Sequence, residues 1–160
     1  MIVAAVVVVV VVGGWLALRP ASSKARPELA PAISGPIVNG GRVDLSAQRG
    51  HWVLVNFFAS WCSACKVELP QLAELDSRHP DGLQVVSVDS LDDSLGSAER
   101  MIRSTKTEWP LVSDPDATTD YGVVGLPESF LVNPSGLIEA RIFGGVTVSK
   151  VEGQLGAAKR

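Results

Sequence analysis

Two cysteines, and only two, occur in the chain, and they stand together as Cys62-Ser63-Ala64-Cys65. A thiolate is a nucleophile toward a disulfide, and a second thiol close by can resolve the mixed disulfide that results. Other chemistries fit the pair less well. An inert structural disulfide closing so short a loop would add little stability. A structural zinc site wants four Cys or His ligands, and the two histidines, His51 and His79, show no metal-ligand spacing with the pair. The pair therefore reads as a redox site with no metal and no cofactor.

The flanking residues place it. Val53 to Phe58 is an apolar β run, Ala59-Ser60-Trp61 breaks it, and Leu69, Leu72, Ala73 and Leu75 then recur near a helical period. Cys62 thus falls at a helix N-terminus, where unpaired N–H groups and the macrodipole favour a thiolate. Cys65 lies one turn on. Pro70 is expected to kink this helix, which ends before His79-Pro80-Asp81-Gly82.

Around this unit the pattern alternates. Ile37 to Leu45 reads as a hairpin turning at Gly40-Gly41, and Leu83 to Asp89 as a strand parallel to the first. A helix falls within Asp92 to Thr107, with Met101 and Ile102 facing inward, followed by a brief strand at Trp109 to Val112. Pro115 opens a helical turn that runs to Tyr121-Gly122. Glu128 to Asn133 and Leu137 to Phe143 form an antiparallel hairpin through Pro134-Ser135-Gly136, and Val146 to Ala158 closes the chain as a helix. Trp52, Trp109, Phe57, Phe58 and Phe130 read as core. A βαβ unit followed by a ββα unit predicts an α/β fold, with a mixed central sheet, helices on both faces and an N-terminal β-hairpin. The cysteine pair falls at the C-terminal edge of a central strand, where open α/β sheets place their sites.

With 160 residues and 46% hydrophobic content the chain holds one domain of ordinary size. From Ser34 onward 11 basic residues face 16 acidic ones without a basic stripe, which argues against nucleic-acid binding. Ile2 to Leu18 carries no charge and is rich in valine. As a helix it would span roughly 25 Å, so residues 1–18 read as a membrane anchor, with a signal-peptide core as the alternative. Arg19, Lys24 and Arg26 follow this run and none precedes it, a distribution that by itself favours a cytoplasmic C-terminal side. Residues 19–35, rich in Pro, Ala and Ser, read as an extended tether, and 36–160 as the folded domain.

From Pro36 to Ala158 the chain resembles the thioredoxin superfamily, and within it the membrane-tethered TlpA/ResA/CcmG-like thiol–disulfide oxidoreductases. The resemblance rests on Val55-Asn56-Phe57-Phe58-Ala59-Ser60-Trp61-Cys62-Ser63-Ala64-Cys65, on Glu68-Leu69-Pro70, on Gly125-Leu126-Pro127-Glu128-Ser129-Phe130-Leu131-Val132, and on Asn133 to Gly136 with Gly144. It implies a thioredoxin-like fold, a cis-proline at Pro127 facing the cysteines, and Leu126 offering its backbone to an incoming peptide. It places Glu68 near the pair, one turn beyond Cys65, where its charge state would tune the thiols; the other reading is a solvated surface carboxylate. Asn56 stands where ordinary thioredoxins carry a buried aspartate. Glu128 is expected either to face the partner or to occupy an exposed strand position. Trp61 is expected to shield the site edge and pack against a bound peptide, and Lys66 to be solvated. The Ser63-Ala64 dipeptide departs from the superfamily by lacking a proline between the cysteines.

The resemblance further implies an extracytoplasmic domain, periplasmic or on the cell-surface side, held by its N-terminal anchor. Its partners would be a protein disulfide such as the Cys-x-x-Cys-His segment of apocytochrome c, and a membrane electron donor of the DsbD/CcdA type. Alternatives of the same class are a general disulfide oxidase or isomerase and a copper-centre thiol reductase. A metal-binding module and a thiol peroxidase stand further off.

Overall fold

A computed structural model describes residues 28–37, 40–79, 82–89, 95–106, 109–114 and 116–158. The apolar segment 1–18, residues 19–27 and Pro115 lie outside them. Among the described residues no helix is long and apolar enough to cross a membrane.

The architecture is built on β4 (Trp52–Phe58), which pairs in parallel with β5 (Leu83–Asp89) and antiparallel with β7 (Glu128–Val132). With β1 (Glu28–Leu29), β6 (Leu111–Ser113) and β8 (Leu137–Phe143), these strands form a mixed six-stranded sheet in the order β1-β8-β7-β4-β5-β6. β4 is covered on both faces, so its sequence reads as an unbroken apolar run rather than an alternation. On one face Leu54, Phe58, Val85 and Leu131 pack against Leu69, Leu72 and Leu75 of α1 (Ser63–Arg78). The same cluster takes in Met101 and Ile102 of α2 (Leu95–Arg103) and Val151 and Leu155 of α4 (Val148–Ala158).

Among the described residues, the opposite face, with Val53, Val55, Phe57, Val88 and Phe130, carries only a short helix, α3 (Ala117–Asp120). An antiparallel hairpin of β2 (Ser34–Pro36) and β3 (Arg42–Asp44) and an N-terminal strap supply the rest of its cover. The helices are thus on both faces, as expected, but unevenly divided. The hairpin turns at Gly40 and Gly41, at φ of 87° and 96°, a region in which a side chain is strained. Its first strand begins at Ser34, three residues before the position that the sequence suggests. Ile37 bridges to Val112, fixing the hairpin to the β6 edge.

Residues 28–35 correct the predicted tether. β1 pairs with β8 through Glu28–Ile138 and Leu29–Leu137, and the Ala30 N–H donates to the Gly136 carbonyl at 3.0 Å. The Tyr121 hydroxyl donates to the Pro31 carbonyl at 3.0 Å, and Ile33 is fully buried. A strap crosses the sheet once, so it needs single apolar anchors and shows no periodicity for a sequence reading to find.

α1 begins where predicted and ends at Arg78, with the His79 N–H donating to the Leu75 carbonyl at 3.2 Å. Pro70 sits on its exposed side, and the helix continues past it. Trp52 is only half-buried, whereas Phe57, Phe58, Trp109 and Phe130 are core as expected. If the strap belongs to the fold, Ile33→Ala should cost about 2–5 kcal/mol. Urea denaturation reads this directly; an unchanged midpoint would return residues 28–35 to the tether.

Candidate active site

The chain leaves β4 at Phe58 and turns tightly, with the Cys62 N–H donating to the Ala59 carbonyl at 3.1 Å. Cys62 is the N-cap of α1, and its Sγ accepts the Cys65 N–H at 3.1 Å. Sulfur thus stands in the place of the oxygen that usually satisfies a first-turn donor, and the same donor stabilises a thiolate there. Cys62 and Cys65 form a disulfide, with their Cα atoms 5.3 Å apart. Both residues are buried, Cys65 completely.

Glu68 lies one turn beyond Cys65 on the same helix and is only 3% exposed. Its Oε1 accepts the Asn56 side-chain amide at 2.9 Å, and its Oε2 accepts the Val146 N–H at 2.9 Å. Asn56 is itself held by donating to the Ser129 hydroxyl at 3.0 Å. The strand pleat explains this convergence. Asn56 shares the face of Leu54 and Phe58, the face that α1 covers, and it pairs in register with Ser129. Burial pushes the Glu68 carboxyl up to about 6, against the lowering pull of the Val146 N–H and the Asn56 amide. The surface alternative for Glu68 is excluded.

The profile of the AhpC/TSA family matches residues 28–141. The thiol–disulfide oxidoreductase ResA of Bacillus subtilis is 31% identical over 125 residues, which cover 76% of this chain and 69% of ResA. Among solved structures, a putative thiol:disulfide interchange protein DsbE from Chlorobium tepidum superposes with a TM-score of 0.74 at 31% identity, over 85% of this chain and 99% of that one. StoA from Bacillus subtilis gives 0.68 at 26% identity, over 81% and 99%. The chain belongs to the AhpC/TSA family, among its ResA-like thiol–disulfide oxidoreductases.

In this ResA-like oxidoreductase the remaining predicted residues fall into two groups. Trp61, at 64% exposure, and the half-buried Leu126 lie at the cysteine end of the sheet, and Leu126 packs against the cluster that contains Cys62 and Cys65. The Leu126–Pro127 peptide bond is cis. Pro127 immediately precedes β7, whose first residue pairs with Phe57, so the register carries it to the end of β4 from which Cys62 departs.

Glu128 is a correction. It is 1% exposed, accepts the Val124 N–H at 3.0 Å and forms an ion pair with Arg141. In the pleat it sides with Phe130, on the face away from Asn56 and Glu68. It is neither an exposed strand residue nor placed to touch a partner. Lys66 is exposed as expected, and His79 approaches Glu152 at 3.3 Å at the far end of α1 from the cysteines.

The sequence reading missed Ser129 and the Val146 N–H. Ser129 carries a usable signal, since one step along a strand from a residue on one face lands on the other. The Val146 contact is made by a backbone group 78 residues from Glu68, and no side-chain pattern marks it.

A carboxyl raised from 4.5 to about 6 binds its proton more tightly in the folded protein than in the unfolded chain. The resulting stabilisation is complete below about pH 4.5 and is lost as the pH rises through about 6, a contribution of about 2 kcal/mol. Denaturation of the oxidised protein at about pH 4 and about pH 7 should therefore show the wild type losing about 2 kcal/mol more than Glu68→Gln. Equal losses would show that Glu68 does not titrate in this range.

Proposed function

We propose that the chain reduces disulfides of other proteins on the extracytoplasmic side of a membrane, to which residues 1–18 anchor it and residues 19–27 tether it. The observation that carries this reading is a helix-capping cysteine pair with a buried carboxylate one turn beyond it, a carboxyl that takes up and gives back a proton near pH 6. In the reduced protein the Cys62 thiolate attacks one sulfur of the partner disulfide. A mixed disulfide forms and the partner's other sulfur leaves as a thiolate. Glu68 takes the proton of the Cys65 thiol, and the Cys65 thiolate attacks Cys62 Sγ. The partner departs with its second sulfur reduced, and Cys62–Cys65 closes as the disulfide. Two electrons have passed to the partner. A dithiol of the DsbD/CcdA type of membrane donor returns them, and the proton on Glu68 goes back to solvent or to the departing thiolate.

Trp61, Leu126 and Pro127 are the residues assigned to the partner, which would lie extended across the end of the sheet. The substrate that fits the ResA resemblance is the Cys-x-x-Cys-His segment of apocytochrome c, before haem attachment. Orientation rests on that resemblance, against the three basic residues that follow the apolar run.

Cys65→Ser leaves Cys62 able to attack and removes the thiol that resolves the product. A covalent complex should accumulate, and mass spectrometry of it should return a Cys-x-x-Cys-His protein. Capture of assorted secreted proteins together with a potential near about −120 mV would favour a general oxidase, whereas a reductase should lie closer to about −270 mV. Glu68→Gln should move the alkylation-versus-pH curve of the cysteines, and a superimposable curve would remove Glu68 from the proton path. A reporter fused at Arg160 tests topology, since activity of the fusion in the cytoplasm would overturn the export claim.

A further inference from the structure

The segment from Gly122 to Pro127 joins α3 to β7 at the cysteine end of the sheet, with Val123 and Leu126 packed on the back-face cluster and Pro127 buried. Val124 is 79% exposed, and Leu126 is the residue by which the segment reaches the cluster around Cys62 and Cys65. Two polar side chains from the back of the sheet also hold its backbone. The Glu128 carboxylate accepts the Val124 N–H at 3.0 Å and the Arg141 Nε–H. The other arm of the Arg141 guanidinium donates to the Gly122 carbonyl at 2.5 Å. The guanidinium is itself positioned by rings, lying 4.7 Å from the Phe143 centroid and 5.2 Å from that of Phe130. One planar fork thus ties the segment at Gly122 directly and at Val124 through Glu128, from the side of the sheet opposite the redox pair.

The geometry points to Arg141 as a positioning residue for exchange. Through Glu128 it sets where the 122–127 backbone stands when a partner disulfide comes up to Cys62. This rests on the assignment of Leu126 and Pro127 to the partner. Arginine is required rather than a positive charge alone, because the two acceptors are met by two N–H groups of one rigid plane. A lysine would keep the charge opposite Glu128 and release the Gly122 carbonyl.

The test compares two oxidants of the reduced, full-length protein in single turnover. One is a peptide disulfide containing Cys-x-x-Cys-His, which lies along the segment. The other is oxidised dithiothreitol, which has no backbone to lay there. The ratio of the two rate constants should fall at least about tenfold in both Arg141→Leu and Arg141→Lys, a loss of the size that small misplacement of a reacting partner produces. Arg141→Lys should melt close to the wild type. A ratio within about twofold of the wild type in Arg141→Lys would reduce Arg141 to a structural ion pair and overturn the inference. A wild type that reduces the peptide no faster than its Cys62→Ser/Cys65→Ser variant would overturn the exchange function itself, and this role with it.

Discussion

The two-residue period of a fully buried strand governs this site. β4 runs through the middle of the sheet with both faces covered, so each successive side chain is committed to one of two environments. Leu54, Asn56 and Phe58 meet α1; Val53, Val55 and Phe57 meet the strap, the hairpin and α3. The strand ends four residues before Cys62, and the helix that begins there lies over the face that Asn56 occupies. Strand, turn and helix therefore bring the redox pair and the amide that holds Glu68 to the same side. A shift of one residue in register would exchange the polar side chain for an apolar one and leave the Glu68 carboxylate without that donor.

Two glutamates buried to the same depth illustrate what burial does to a carboxylate. Glu68 is met by a side-chain amide and a backbone N–H, both neutral, and desolvation then raises its affinity for a proton. Glu128, on the other face, is met by a guanidinium and a backbone N–H. The first arrangement suits a group that takes up and gives back a proton beside a thiol. The second suits a carboxylate used as a fastening. The chemistry of each follows from its partners, since the residue type and the depth are the same.

The uneven division of helices also has a consequence for the site. Among the described residues, three helices on the cysteine face share one apolar cluster with Cys62 and Cys65, and Cys65 is fully buried. The back face is assembled from short pieces, a strap, a hairpin and one helical turn, joined by contacts such as Tyr121 to Pro31 and the Phe57, Tyr121 and Phe130 ring cluster. These pieces bury the remaining face of β4, and the segment they lead into returns to the front at Leu126.

Local chemistry was enough to locate the redox pair, the strand before it and the helix after it. An apolar run, a break and a 3.6-residue recurrence are properties of adjacent residues, and so are the hairpin glycines and the βαβ–ββα order that imply a mixed sheet. What residues 28–35 do was invisible, because a strap makes single anchoring contacts without a period. The partners of Glu68 and Glu128 were closed to inspection. The resemblance favours the functional place for Glu68 and leaves Glu128 even between an exposed strand position and the partner, and the answer depends on which face of the sheet each meets and on groups 12 to 78 residues away for Glu68 and up to 13 away for Glu128. Residue type sets what a carboxylate is able to do, and only the folded chain decides its neighbours, because burial and pairing are properties of the surroundings.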